Sequence, residues 1–153
     1  MDQKKVIDLL NRILEAELAG AVRYTHYSFM VFGYNRIPIV SWMRSQAAEG
    51  MAHANKAGEL ITHLGAHPSL GIGSLLETHQ HDMRQILLEA LEMEHKTLAL
   101  YQDLLKEVQD HSVLLEEYAR EAIVQESMHI GEVDKMLRKP GDITISPEAQ
   151  DLQ

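Results

Sequence analysis

Four ionisable side chains stand where the helical pattern of the sequence calls for apolar, inward-facing residues. They are Glu17, His53, Glu126 and His129, and each is in phase with apolar neighbours four or seven residues away. A buried, ionised carboxylate is unstable unless its charge is compensated. A divalent or trivalent cation compensates several carboxylates at once, and imidazole nitrogens can share it. The pattern therefore predicts a buried metal site.

The spacing Glu126-x-x-His129 places a carboxylate and an imidazole on one helix face, where both can meet one ion. One such pair is weak evidence, because acidic helices often form it as a surface ion pair. The shared inward phase of all four residues favours a metal site over that interpretation. Inner glutamates combined with Glu-x-x-His pairs on the four helices of a bundle form di-iron carboxylate centres. Mixed oxygen and nitrogen ligation with open positions suits Fe(II) and O2 chemistry.

Four long segments with helical periodicity must position these side chains. They run from about Asp2 to Gly33, from about Ile37 to Gly65, from about Ser74 to Val108, and from Val113 to Leu137. The only long break, 65–73, can carry an extended chain most of the way along a helix bundle. The sequence thus predicts an all-α, antiparallel four-helix bundle over residues 1–140. One long crossover joins its second and third helices, and a C-terminal tail follows at 141–153.

The composition excludes several classes of function. The 153 residues include 14 Lys and Arg against 23 Asp and Glu, a net charge of −9, which argues against nucleic acid or an anionic membrane as partner. There is no cysteine, so disulfides, thiolate metal sites and cysteine nucleophiles are excluded. Neither a secretory signal nor a membrane span is visible, and we expect a cytoplasmic protein. Apolar residues on two faces of the third segment predict a homo-oligomer.

Four stretches of the chain together resemble the bacterioferritins of the ferritin-like superfamily. They are Glu17-Leu18-Ala19 with Tyr24, Glu49 to Ala54, Ala90-Leu91-Glu92, and Glu126 to His129. The resemblance implies that Glu17, Glu92 and Glu126 are metal carboxylates, that His53 and His129 are metal imidazoles, and that Tyr24 donates a hydrogen bond near the site. It also implies a ferroxidase-like protein that oxidises Fe(II) with O2 or peroxide, for iron storage or detoxification. The homo-oligomer that it implies is built of dimer units and extends to a cage.

The second helix departs from the family pattern, which has a glutamate three residues before His53, where this chain has Gly50. The nearest carboxylate, Glu49, approaches His53 from the other side of the helix. A π-bulge near Gly50 would bring Glu49 into the site. In a regular helix Glu49 faces solvent and the site is incomplete. His95 could then supply a compensating ligand, although a histidine there is also typical of a helix interface.

Met51 aligns with the methionine that holds haem between two bacterioferritin subunits, and thioether is a suitable haem-iron ligand. Methionine is also a common packing residue, and this chain has eight. A second hypothesis for the whole chain follows from Gly50. In it, the chain is a structural or regulatory homo-oligomer with a degenerate, mononuclear or haem-binding site and no ferroxidase activity.

Overall fold

Four α-helices dominate the computed structural model, which describes residues 1–147. They are α1 (Gln3–Phe29), α2 (Arg36–His63), α3 (Met83–Val108) and α4 (Val113–Leu137), and the described residues contain no strand. Helices α1 and α2 pack as one hairpin, α3 and α4 as another, and α1 also packs against α3. The predicted all-α four-helix bundle with its long crossover is confirmed. No helix within residues 1–147 combines the length and the apolar character that crossing a bilayer requires.

Side-chain caps set the starts of three helices. Asp2 accepts a hydrogen bond from the Lys5 N–H, Asp82 from the Gln85 N–H and Ser112 from the Leu115 N–H, at 3.2, 3.1 and 3.4 Å. Each cap satisfies an amide that the first helical turn leaves without a backbone partner. These caps give α1 and α4 starts that agree with the sequence pattern to within about a residue.

The third helix begins at Met83, nine residues later than the sequence pattern predicted. Leu76 and His79 have φ angles of 49° and 54°, which no right-handed helix accommodates, and Asp82 caps the true start. The crossover therefore spans 64–82. The end of α1 is also corrected, from Gly33 to Phe29.

The crossover lies directly on α1. The Gly73 N–H donates to the Glu15 carbonyl at 2.9 Å, and the Ser69 N–H donates to Asn11 Oδ1 at 2.7 Å. A Cβ at Gly73 would stand 3.0 Å from that carbonyl oxygen, so the close approach requires glycine. These hydrogen bonds hold the crossover against the outer side of α1.

Apolar side chains fill both ends of the bundle and leave a polar zone between them. One core cluster gathers the start of α1, the end of α2, the end of α3 and the start of α4, around Leu10, Ile61, Leu104 and Leu115. Two others fill the opposite end, around Met43 and Leu91. In each helix, the candidate metal-binding residues fall between the segments that form these clusters.

The segment after α4 is fixed to that helix as far as Ser146. Buried Asp134 accepts hydrogen bonds from the Ser146 N–H and hydroxyl at 2.9 and 2.7 Å, and from the Arg138 guanidinium at 2.6 and 3.0 Å. The predicted C-terminal tail, 141–153, is thus tied to the bundle at its start. Residues 148–153 lie outside the described part of the chain.

Candidate metal centre

Side chains from all four helices converge at mid-bundle in two overlapping groups of three. Glu17 on α1, His53 on α2 and Glu126 on α4 form one group, and Glu94 on α3, Glu126 and His129 on α4 form the other. Within each group, one potential ligand atom per residue lies within 4.8 Å of the others. Glu126 belongs to both groups, which is the arrangement that two neighbouring ions sharing a carboxylate require.

The carboxylate that α3 contributes is Glu94, which corrects the assignment of Glu92. Glu94 is buried, whereas the Glu92 side chain is 56% exposed and pairs with Lys96 at 2.9 Å. The phase of the helix explains the difference, because Glu94 stands seven residues from both Leu87 and Tyr101, which are buried. This seven-residue spacing is the signal in the sequence that favours Glu94, although a second apolar face on α3 competes with it.

Two buried tyrosines orient two of the carboxylates. The Tyr101 hydroxyl donates to Glu17 Oε1 at 2.7 Å, and the Tyr24 hydroxyl donates to Glu94 Oε1 at 2.7 Å. The resemblance implies that Tyr24 donates a hydrogen bond near the site, and in the structure the acceptor of its hydroxyl is Glu94. Tyr101 is not among the site residues that the sequence predicts, because a tyrosine on an apolar helix face is also typical of packing. Such hydrogen bonds fix the orientation of carboxylates and tune their strength as ligands.

The buried carboxylates of the cluster lie close together, and this changes the pKa values of Glu126 and His53. Burial raises the pKa of the Glu126 carboxyl well above its usual value, His53 opposes that rise, and Glu94 and Glu17 add to it. The carboxylates of Glu126 and Glu17 raise the pKa of His53 from 6.5 to about 10, against the effect of burial. His53 Nδ1 lies 3.3 Å from Glu17 Oε1 and 3.6 Å from Glu126 Oε1. Retained protons thus offset the repulsion among these carboxylates, as a cation would.

The residues present fit a metal ion. Glu126 is 2% exposed, and its Oε2 has no hydrogen-bond partner among the described residues. A buried carboxylate oxygen without a partner is costly, and metal coordination is one way to satisfy it. A cavity of about 20 Å³ lies among these side chains, which is room for roughly one or two water-sized species. Carboxylate oxygens and imidazole nitrogens are ligands that suit iron.

Helix α2 is α-helical throughout, so the π-bulge proposed for Glu49 is wrong. Glu49 is half-exposed, and its Oε2 lies 2.8 Å from His129 Nε2. The rings of His53 and His129 stack with their centroids 6.3 Å apart. Glu49 therefore joins the rim of the cluster through His129, and it belongs to neither group of three.

Gly50 lines the cavity because α1 and α2 approach each other closely there. A Cβ at this position would stand 3.2 Å from the Glu17 carbonyl oxygen and 3.4 Å from Ala21. The position where the family resemblance expects a glutamate is thus a packing position in this chain. This leaves three carboxylates and two imidazoles in the two groups.

His95 and Met51 lie outside both groups. His95 is partly buried, its Nε2 has no hydrogen-bond partner in residues 1–147, and burial lowers its pKa. It follows Glu94 directly and so turns to another face of α3. Met51 lies on the outer face of α1 and α2. Together with Val22 and Phe29 it lines an apolar groove of about 450 Å³.

Comparison with known proteins gives one family and several related structures. A family model described as a ferritin-like domain matches residues 7–141. A comparison with curated protein sequences gives no significant match.

Three solved structures illustrate the likeness. One is a ferritin-like, diiron-carboxylate protein from Bacillus anthracis str. Ames (TM-score 0.85, 24% identity, 90% of this chain and 99% of that one). Another is the Rhodobacter capsulatus bacterioferritin with a metal-free dinuclear site and haem iron (TM-score 0.75, 24% identity, 88% and 84%). A third is a dodecameric thioferritin from Bacteroides fragilis (TM-score 0.83, 20% identity, 90% and 86%). At these identities the likeness shows the fold alone.

Proposed function

The chain belongs to the ferritin-like family, and on that premise we propose that its buried cluster binds two Fe(II) ions as substrate and supports their oxidation to Fe(III). The electron acceptor is O2 or peroxide, and the purpose is iron storage or detoxification. One ion is held by Glu17, His53 and Glu126, and the other by Glu94, Glu126 and His129. Each bound Fe(II) gives up one electron in the reaction.

One observation carries this proposal: the two groups of three share Glu126, whose Oε2 is buried without a partner. A packing role alone does not explain three buried glutamates around one cavity, since each costs free energy unless compensated. The protein's own part is to hold these carboxylates in place. Tyr101 and Tyr24 do so through their hydrogen bonds to Glu17 and Glu94. An imidazole nitrogen must be unprotonated to bind an ion, and the raised pKa of His53 means that metal binding there releases a proton.

Anaerobic titration of the metal-free protein with Fe(II), followed by admission of air, tests the proposal. We expect two Fe(II) per chain, followed by fast ferric absorbance. Glu126→Ala removes the shared carboxylate and is expected to abolish most of the fast phase. His129→Ala removes one imidazole and is expected to lose one ion per chain.

The matched control is Glu121→Ala, which removes an exposed carboxylate of α4 that pairs with Lys56 at 2.7 Å. It should bind and oxidise Fe(II) like the unchanged protein. Wild-type rates in both Glu126→Ala and His129→Ala would contradict the proposal. The second hypothesis, a degenerate or mononuclear site without ferroxidase activity, predicts one ion or none and no fast phase.

A homo-oligomer and a cytoplasmic location complete the proposal. The apolar groove around Met51 supports a subunit contact there, because exposed apolar patches of this kind are typical of interfaces. A reducing compartment keeps the Fe(II) substrate available.

Haem bound at Met51 is a further proposal for the apolar groove around that residue. A Soret band that Met51→Ala abolishes would support it.

A further inference from the structure

A groove beneath the crossover shares a wall with the candidate metal cavity. The groove lies between α1, α3 and the crossover and has a volume of about 490 Å³. Ala16, Met93 and Thr97 line both the groove and the smaller cavity that contains the ligands. One layer of side chains therefore separates the groove from the cluster.

This shared wall is uncharged. Met93 is 8% exposed, and a Cβ built at Gly20 on the facing helix would lie 3.9 Å from its Sδ, so the thioether covers a glycine. The Thr97 hydroxyl donates to the Met93 carbonyl at 3.1 Å and so has its donor satisfied within α3. Methionine is unbranched and flexible, and it can move aside without displacing a helix.

The opposite side of the cluster is polar. The side chains of His53 and His129 are each 17% exposed there, and half-exposed Glu49 reaches His129 at their rim. A cation that approaches by this side meets imidazole and carboxylate groups as it loses water. The crossover groove carries both acidic and basic side chains, among them Glu92 and Lys96. A cation that goes on from the groove past Ala16, Met93 and Thr97 meets no charged side chain in that last step, where an uncompensated ion is costly. Small uncharged molecules do not incur that cost.

We propose that Met93 closes a passage for the small neutral oxidant, O2 or hydrogen peroxide, between the crossover groove and the metal cavity, while the cation uses the His53 and His129 side. This inference rests on the proposed function, because it assigns the two reactants of that reaction to separate routes. Met93 is here a residue that determines access and is not a metal ligand.

Widening the passage separates the two routes. Met93→Ala removes the covering side chain, and Met93→Val removes part of it, which gives a graded pair if the larger change disturbs folding. Rates of ferric absorbance are measured at several O2 concentrations, and separately in anaerobic hydrogen peroxide. Co(II) association is measured without oxidant by quenching of Trp42, the only tryptophan, whose ring lies 5.8 Å from that of Tyr24. Met136→Ala on α4 is the methionine control.

We expect Met93→Ala to raise the rate constant for reaction with at least one oxidant several-fold, and Met93→Val to raise it less. The rate of Co(II) association should stay unchanged in both variants. Glu49→Gln should slow Co(II) association and leave the dependence on oxidant unchanged. The oxidant that responds identifies which molecule uses the passage. Unchanged oxidant dependence in both Met93 variants overturns the inference, as does an equal acceleration of Co(II) association. Failure of the unchanged protein to bind Co(II) would instead reject the proposed function, and the passage with it.

Discussion

Glu94 and Glu92 stand two residues apart on α3, but Glu94 is buried and Glu92 is exposed. This makes them a matched pair for substitution. Glu94→Gln keeps the shape of the side chain and removes the charge that an ion would meet. We expect it to lower metal affinity by about tenfold to a hundredfold or more. Calorimetric titration with Co(II) under anaerobic conditions measures the effect.

Glu92→Gln is the control, because it alters only the exposed pair with Lys96, which is worth about 0–1 kcal/mol. Its Co(II) affinity should equal that of the unchanged protein. Equal losses in the two variants would show that general surface charge, and not ligation by Glu94, governs binding.

Much of the candidate site could be predicted from the sequence at the scale of single residues. The structure brings Glu17, His53, Glu126 and His129 together, because each lies on an apolar helix face whose period the sequence reveals. The carboxylate of α3 was missed because that helix carries apolar residues on two faces, so its inward direction was ambiguous. The contact of Glu49 with His129 depends on how two helices meet, and no local pattern contains that information.

At the scale of the element, Gly50 and Gly58 offer a comparison within α2. A Cβ at Gly58 would meet nothing within 4 Å, so Gly58→Ala should raise the free energy of unfolding by about 0.5–1 kcal/mol through helix propensity. A Cβ at Gly50 would stand 3.2 Å from a backbone oxygen of α1, which cannot rotate away. We expect Gly50→Ala to lower the free energy of unfolding by about 1–3 kcal/mol. Urea denaturation of the two variants measures both values.

A stabilisation by Gly50→Ala similar to that of Gly58→Ala would show that α1 and α2 separate at little cost. In that case, close helix packing would not account for the glycine at position 50.

Asp134 links the chain after α4 to the helix and makes stability depend on pH. Burial opposes its ionisation, but hydrogen bonds from Ser146 and Arg138 outweigh that effect and lower its pKa below 3.8. A carboxyl whose pKa is lowered by folding stabilises the protein fully above its unfolded value. That contribution is lost as the pH falls through the lower, folded value. Asp134→Asn should therefore cost about 2 kcal/mol near neutral pH, and the difference from the unchanged protein should shrink below pH 3.8.

Denaturant unfolding of both proteins at several pH values measures this difference. A gap that stays constant into the acid range would contradict the assignment of the stabilising charge to Asp134.

The observed bounds of the helices show which local sequence signals were sufficient to predict where a helix begins and ends. The predicted range of α4, Val113–Leu137, matches the structure because a polar turn precedes it and Lys139-Pro140-Gly141 follows it. The start of α3 was placed too early because Leu76 stands seven residues before Met83, in phase with the apolar face of the helix. What excludes a helix there is the left-handed backbone at Leu76 and His79. Leucine rarely adopts that conformation and histidine does so only occasionally, so neither residue type predicts it.

At the scale of the whole molecule, the groove around Met51 predicts where two chains meet. Phe29 is 52% exposed at this groove, and Phe29→Asp would place a charge against a partner's apolar surface. We expect this variant to sediment as a smaller species than the unchanged protein. Leu70→Asp changes a fully exposed apolar residue of the crossover that lies outside the groove, and it should leave the sedimentation mass unchanged. Identical masses for all three proteins would place the interface elsewhere.

The long crossover also has a consequence for the order of assembly. It divides the chain into two hairpins of local contacts, which form faster than contacts distant in sequence. Glu94, Glu126 and His129 all belong to the later hairpin, whereas Glu17 and His53 belong to the earlier one. The later hairpin can therefore bring a complete set of three ligands together before the halves dock. The other set forms only after the two hairpins dock, so an ion bound there would connect them. We therefore expect a chelator to weaken the docking of the two hairpins before either hairpin unfolds.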